Sequence, residues 1–317
     1  MNLNFKTALV TGGAGFIGSH IVDALVSAGC KVRVLDNLSS GHLANLAHLK
    51  DRITFHEGDI QNPDEIAAAA EGCEVIFHEA AVVSVTRTVE DPVGSARIND
   101  LGTLQVLEVA RNLGVRRVVL ASSSAVYGDD PILPKREDMA PLPQSPYAVQ
   151  KLTGEFHARL YKDLFGLETV CLRYFNVYGP RQDPSSPYSG VISIFMTRAA
   201  RRNPPTIYGN GEQSRDFVFV KDVVQANLLA ADTPGADGRV FNVGIGSSVT
   251  VNELWKIIRD MSGITLAPEY GPPRPGDIRE SVSDINLAKK ILKFKPEFSF
   301  SEGLEQTLAW YHKQDTI

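Results

Sequence analysis

Thr11-Gly12-Gly13-Ala14-Gly15-Phe16-Ile17-Gly18 decides the reading of this chain. It follows a short apolar run at 7–10 and opens a stretch, 17–28, whose apolar residues recur at helical spacing. Glycines at 12, 15 and 18 permit a tight turn, close approach of backbone to a pyrophosphate, and close packing of helix on strand. The helix start then offers free N–H groups and a positive dipole end to an anion. Asp36 ends the next apolar run, about 20 residues on, where a carboxylate bonds ribose hydroxyls and repels a ribose phosphate. NAD is therefore expected over NADP. Asp59, in Gly58-Asp59-Ile60 after a third run, is either a ligand of the adenine amino group or an acid on a surface turn.

Working outward, strand and helix patterns alternate. Runs at 53–56, 75–78, 118–120 and 169–172 read as strands. Stretches at 63–70, 101–113 (closed by Gly114) and 147–165 read as helices. This rhythm argues an α/β fold, a Rossmann doubly wound parallel sheet with helices on both faces. After about Asn176 glycine and proline become frequent. Short strands at 217–220 and 240–243 lie among helices at 191–201, 251–261 and 286–292, a smaller C-terminal α/β lobe.

Composition bounds the function. Of 317 residues, 43% are hydrophobic and 22% charged, which excludes disorder and collagen-like structure. Lys plus Arg is 32 and Asp plus Glu is 37, so 32 − 37 gives a net charge of −5. Neither nucleic acid nor an anionic membrane is an expected partner, and an anionic ligand needs a local pocket. Cys30, Cys73 and Cys171 are far apart and form neither a disulfide framework nor a zinc pattern. No His-x-x-x-His occurs, so no metal site is expected. The polar start runs straight into a strand, and no apolar run approaches the roughly 20 residues of a membrane span. A cytoplasmic protein is expected.

Ser122-Ser123-Ser124 directly follows the fifth strand, where the crevice of such a sheet lies. Ser145-Pro146-Tyr147-Ala148-Val149-Gln150-Lys151 opens the long helix and puts Tyr147 and Lys151 on one face. A phenol with a pKa near 10 is a poor base at neutral pH. A neighbouring ammonium and a positively charged nicotinamide favour the phenolate. Each feature alone is common, since post-strand serines often cap turns and Tyr–Lys helix faces are routine. Their order along one chain, after the glycine turn and Asp36, carries the signal.

With these motifs the chain resembles the extended short-chain dehydrogenase/reductases, specifically the nucleotide-sugar epimerases and dehydratases. The resemblance spans nearly the whole chain. It rests on the glycine turn, His78-Glu79-Ala80-Ala81, Asn99, the run from Ser122 to Gly128, and Tyr147 to Lys151. Toward the C-terminus it rests on Arg173 to Pro180, Gly211 to Asp216, and Arg274-Pro275-Gly276-Asp277. Glu79 departs from the family's usual Leu or Gln.

The resemblance implies an NAD-binding Rossmann domain over 1–175, with about 217–243 returning to it, and a nucleotide-sugar domain over 176–317. It makes Tyr147 the base, Lys151 its partner and a ligand of the nicotinamide ribose, and Ser123 or Ser124 the hydrogen-bonding hydroxyl. The implied cofactor ligands are Gly12, Gly15, Phe16, Ile17, Gly18, Asp36, Asn37, Asp59, Ile60, Ala80, Ala81, Asn99, Tyr147, Lys151 and Tyr174. The implied substrate ligands are Ser84, Asn176, Gln182, Gly190, Val191, Tyr208, Arg215, Arg274, Asp277 and Ser281.

Among the family's reactions, 4,6-dehydration and decarboxylation are disfavoured, because Ser124 and Ala125 stand where those enzymes carry added acids. A non-catalytic NAD sensor is disfavoured by the retained Ser, Tyr and Lys. The expectation is a homodimeric, NAD-dependent UDP-sugar 4-epimerase. UDP-GlcNAc/UDP-GalNAc is the expected pair, with UDP-Glc/UDP-Gal tolerated, because Ser281 leaves room that a bulky residue would close. The alternatives are UDP-glucose 4-epimerisation alone, or a UDP-glucuronate or dTDP-sugar enzyme. The dimer is expected to pair helices 101–113 and 147–165 of two copies.

Overall fold

The structure, a computed structural model, describes residues 2–183, 190–273 and 279–314. Arg274 and Asp277 lie outside the described residues.

The first half lays down β1 (Thr7–Thr11), α1 (Phe16–Ser27), β2 (Lys31–Asp36), β3 (Ile53–Glu57), α2 (Pro63–Ala70) and β4 (Val75–His78). Then come α3 (Val85–Glu90), α4 (Pro92–Ala96), α5 (Thr103–Asn112), β5 (Arg117–Ser123), α6 (Pro146–Phe165) and β6 (Glu168–Tyr174). Local chemistry sets the ends. Asn62 and Ser145 cap α2 and α6 by accepting from the amides of Asp64 and Ala148, each with proline following. Gly166 ends α6 in the left-handed region at φ 74°.

The second half contributes β7 (Asn176–Tyr178), α7 (Val191–Ala200), β8 (Thr206–Tyr208), β9 (Ser214–Arg215), β10 (Phe217–Phe219), α8 (Val220–Asp232) and β11 (Arg239–Val243). β12 (Val249–Thr250), α9 (Val251–Met261), β13 (Glu269–Gly271), β14 (Glu280–Ser281), α10 (Asn286–Ile291) and α11 (Phe300–Gln314) follow.

Seven strands form one sheet in the order β11-β6-β5-β4-β1-β2-β3, with every pairing parallel. Chain order reverses between β1 and β4, so a crevice opens beyond their carboxyl ends. Both faces of the sheet are covered, which is why its strands read as near-continuous apolar runs. On one face Ile21, Val22 and Leu25 of α1 pack with Val223 and Ala226 of α8. On the other, Val106 and Ala110 of α5 pack with Ala158 and Tyr161 of α6. Each fully buried Val, Leu or Ile contributes about 1.5–3 kcal/mol.

A second core gathers Tyr178, Phe195, Phe217, Phe219, Leu254, Trp255 and Leu304 around the small sheets β7·β10, β8·β13 and β12-β9-β14. Phe16 and Ile17 of the glycine turn pack against it, so one turn touches both cores.

Two elements differ from the sequence reading. Residues 97–102 form a π-helical turn and α5 starts only at Thr103. At that turn Gly102 closes on Ile60, and a Cβ there would meet Ile60 Cδ1 at 2.8 Å. The run expected as a strand to residue 220 stops at Phe219, and Val220 begins α8. α8 is buried on nearly all sides, so it lacks the polar face by which a surface helix is recognised.

Candidate active site

Gly12 sits at φ 68°, and a Cβ there would lie 2.7 Å from the Ala80 amide nitrogen. A Cβ on Gly18 would lie 2.2 Å from the Gly12 carbonyl oxygen. Backbone fills both positions, so only glycine lets the turn close. Gly15 caps α1 with no side-chain bond, and the first turn of α1 holds no acid. The helix start is thus bare toward the crevice, as an incoming pyrophosphate requires.

Asp36 ends β2 beside this turn. Its two oxygens accept from the amides of Ala14 at 2.9 Å and Leu38 at 2.8 Å. Burial raises its pKa, and those two amides pull it back. A carboxylate oxygen has lone pairs for more than one donor, so ribose hydroxyls can still be received. Asn37 donates to Asp59 at 2.8 Å and Ile60 is buried beyond it, so these three form one wall. The glycine cradle, the bare helix start and the carboxylate at the end of β2 fit NAD.

Asn99 and Tyr174, both expected as cofactor ligands, also bond within the protein. Asn99 is buried; it accepts from the Val82 amide at 2.8 Å and donates to Val82 O at 3.0 Å and Gln150 Oε1 at 2.7 Å. It ties the segment after β4 to α6. The Tyr174 hydroxyl bonds Glu79 and Asn227, at 2.7 and 3.1 Å. Ala80 and Ala81 lie on the strand exit that faces Gly12.

His78, at the end of β4, is buried between two threonines, Nδ1 at 2.8 Å from Thr11 Oγ1 and Nε2 at 3.0 Å from Thr103 Oγ1. Thr103 donates its own proton to Asn99 O, so His78 Nε2 donates to Thr103 and Nδ1 accepts from Thr11. Both nitrogens are satisfied by the neutral ring. Burial, with the Lys151 charge nearby, pushes its pKa down to about 3.

Ser123 and Tyr147 meet at the exit of β5. Ser123 is the hydrogen-bonding partner of the Tyr147 phenol. Its oxygen also accepts from Ala125 N at 3.1 Å, which fixes the hydroxyl and opens the turn that starts at Ser124. Of the two serines left open by the sequence, Ser123 is the one against Tyr147. Lys151 Nζ donates to Ala121 O at 2.8 Å and lies 5.9 Å from the Tyr147 ring centre. Burial lowers Lys151 to about 8, which the charge of Glu79 partly offsets. The phenol is raised by burial, with Ser123 lowering it and Glu79 raising it further. Ser123 thus acts toward the phenolate, and burial and Glu79 act against it. The further cation needed at the crevice is what a nicotinamide ring carries.

A pocket of about 240 Å³ opens in the smaller lobe. Asn176, Gln182, Gly190, Val191, Tyr208 and Arg215 line it together, with Phe217 and Val251 behind. Gln182 Nε2 donates to Val177 O at 3.3 Å, while its buried Oε1 has no partner among the described residues. Ser84 and Ser281 do not line this pocket. Ser84 caps α3, accepting from Arg87 N. Ser281 is buried on β14, in register with Arg215 on β9.

Asp216 was not singled out as a functional residue in the sequence. It is fully buried and accepts from the amides of Ile245, Gly246 and Ser283 and from the Ser283 hydroxyl. It holds the exits of β11 and β14 beside Arg215. The acid at the end of Gly211 to Asp216 was visible in sequence; its three amide donors are far away in the chain and were not.

Residues 8–244 match the NAD dependent epimerase/dehydratase family. A UDP-glucose 4-epimerase of Mycolicibacterium smegmatis is 42% identical over 310 residues, covering 96% of this chain and 98% of the relative. A solved UDP-N-acetylglucosamine 4-epimerase from Methanobrevibacter ruminantium, in complex with UDP-N-acetylmuramic acid, superposes with a TM-score of 0.94 at 40% identity, covering 99% and 100% of the two chains. The UDP-glucose 4-epimerase of Thermotoga maritima, with UDP-glucose, gives 0.93 at 40%, covering 97% and 99%. The chain belongs to the NAD-dependent epimerase/dehydratase family.

Proposed function

We propose that this protein interconverts UDP-sugars that differ at C4, acting on UDP-GlcNAc/UDP-GalNAc and also on UDP-Glc/UDP-Gal. The observation that carries the reaction is the Ser123–Tyr147–Lys151 arrangement at the carboxyl end of β5, beside a cradle that fits NAD.

Tyr147 takes the proton of the C4 hydroxyl, and Ser123 holds the C4 oxygen in line with it. NAD, when bound, would supply a reversible hydride acceptor for C4, so that with hydride restored to the opposite face of the 4-keto sugar there is no net oxidation. Tyr147 then gives the proton back to the C4 oxygen. Lys151 anchors the phenolate. Arg215 and Asn176 receive the diphosphate and the pocket around Val191 and Tyr208 receives the base; Arg274 and Asp277 are proposed to complete that site. The acetylated sugar is supported by the buried Oε1 of Gln182, which has no partner among the described residues and is an acceptor suited to an amide N–H. The 4-epimerases of acetylated and plain UDP-hexoses among the similar structures agree with either sugar. Ser281 does not line that pocket, so the room argued from its small side chain lends the acetylated sugar no further support there.

We also infer a homodimer. Val149, Phe156, Leu160 and Leu164 lie on one face of α6 and are exposed, with exposed Leu101 on the neighbouring turn. A face this apolar asks for a partner, and a second copy brings the same face. The division into a cofactor lobe, with 217–243 returning, and a substrate lobe is our reading of the two cores. No described helix is long and apolar enough to cross a membrane. Three buried free cysteines suit a reducing cytoplasm.

The test is incubation of purified protein with UDP-GlcNAc and, separately, UDP-Glc, without added NAD. Formation of both 4-epimers is expected. No conversion of UDP-GlcNAc removes the acetylated reading, and no conversion of either removes the epimerase.

A further inference from the structure

Glu79 is a carboxylate in a place the chemistry described so far does not use. It follows His78, whose register partner on β5 is Leu120. The next residue of β5 is Ala121, the one whose carbonyl holds Lys151 Nζ. Glu79 therefore leaves β4 level with the lysine anchor, one strand away. Its Oε1 is tethered at 2.7 Å by Tyr174, which is held in turn by Asn227 of α8. Asn227 is fixed by Val223 O at 2.9 Å. Tyr174 is the register partner of Ser123, so the tether and the Tyr147 contact leave from one rung of the sheet. Three elements thus fix this carboxylate beneath the crevice.

The groups that face it are few. From α6 come Lys151 and Tyr147; from β6, Tyr174; from its own strand, the neutral His78; from α8, the uncharged Asn227; from β1, only the Thr11 carbonyl, which accepts from the Glu79 amide. Lys151 is the cation among them.

We propose that Glu79 is a positioning residue for the Tyr147–Lys151 pair: its tethered carboxylate, when ionised, supplies the negative charge that partners the Lys151 ammonium and sets the pH window in which the pair works. This rests on the proposed role of Tyr147 as base. Ionised Glu79 stabilises the ammonium and opposes the phenolate. Removing its charge therefore makes Tyr147 easier to ionise and Lys151 easier to deprotonate. Both limbs of the window slide to lower pH. Burial already pushes Glu79 itself up to about 7, restrained by Tyr174 and Lys151, so its charge changes across the neutral range.

The test uses E79Q, which removes the charge and keeps an amide able to meet Tyr174. Tyr147 ionisation is followed by ultraviolet tyrosinate absorbance as the difference between each protein and its Y147F counterpart. This needs no turnover. The expected result is a fall of about one pH unit in E79Q, the size a unit charge several ångströms away produces at an effective dielectric near 20. Both limbs of the epimerisation pH profile fall with it. An unmoved titration in folded E79Q overturns the proposal, as does a lowered plateau with both limbs in place. If E79Q does not fold, E79L is read the same way; if neither folds, Glu79 is only a structural anchor and the proposal fails. A shifted titration in a protein without epimerase activity would remove the proposed reaction and leave the electrostatic role standing.

Discussion

The Asp36 carboxylate accepts from the Ala14 amide at 2.9 Å, so the residue proposed to read the ribose also holds the glycine turn. Gly41 crowds the same carboxylate, since a Cβ there would lie 2.9 Å from both oxygens. Asp36→Asn keeps the size and removes the charge. Bonds to a charged group are worth about 1.5–3 kcal/mol, so NAD affinity should fall roughly 10- to 150-fold. Calorimetric titration of nucleotide-stripped protein measures this. An unchanged Kd would separate Asp36 from the ribose.

His78 carries a pH prediction. Its folded pKa of about 3 lies below the ordinary imidazole value of 6.5, so the unfolded chain binds more protons between these values. The neutral ring's stability is complete above about pH 6.5 and is lost as pH falls toward 3. His20, at about 4, has the same sign. Glu79 and Asp222, raised to about 7 and 6, have the opposite sign. The difference between the chain and H78Q is therefore the observable. In urea unfolding the histidine's share should fall by roughly 2–3 kcal/mol over two pH units below 6.5. Parallel pH profiles for the two proteins would contradict the buried neutral ring.

Ser281→Tyr tests the sugar gate. Ser281 is packed beside Arg215, so a tyrosine ring must displace something. If the displacement falls on the space for a C2 acetamide, kcat/KM for UDP-GlcNAc drops at least tenfold while that for UDP-Glc holds. Equal losses on both would mean that Ser281 acts on the diphosphate through Arg215.

Phe156→Glu tests the dimer. Phe156 is 59% exposed and Leu164 68% exposed on the same face of α6. A charge placed at that face should give monomers in sedimentation, with the melting temperature of the monomer otherwise intact. A variant that stays dimeric places the interface elsewhere.

The parallel sheet was legible because its strands are buried runs joined by helices, and because Gly12, Gly15, Gly18 and Asp36 sit where the first two strands end. Tyr147 and Lys151 were legible from their four-residue spacing only in conjunction with the glycine turn, Asp36 and the serines after the fifth strand. The choice of Ser123 over Ser124 was not, since one residue of strand register reverses which hydroxyl turns inward. Nor was the job of Asn99 or Tyr174, whose partners Gln150 and Asn227 lie some fifty residues further along. α8 was missed because burial on every side removes the contrast that marks a helix. The effect of burial on the Tyr147 phenol, which opposes the lysine, depends on packing that no local pattern encodes.

His20 and Asp23, both on α1, reach across to the segment that leads to Gln182. His20 Nε2 donates to Pro180 O at 2.9 Å, and Arg181 pairs with Asp23 at 2.8 Å from a left-handed backbone at φ 69°. The helix whose start faces the proposed cofactor cradle thus also holds the loop that leads to Gln182. Any opening of the sugar pocket along this edge must either carry α1 with it or break the Arg181–Asp23 pair. On the proposed reading, the cofactor site and the Gln182 side of the pocket are thus built on one helix.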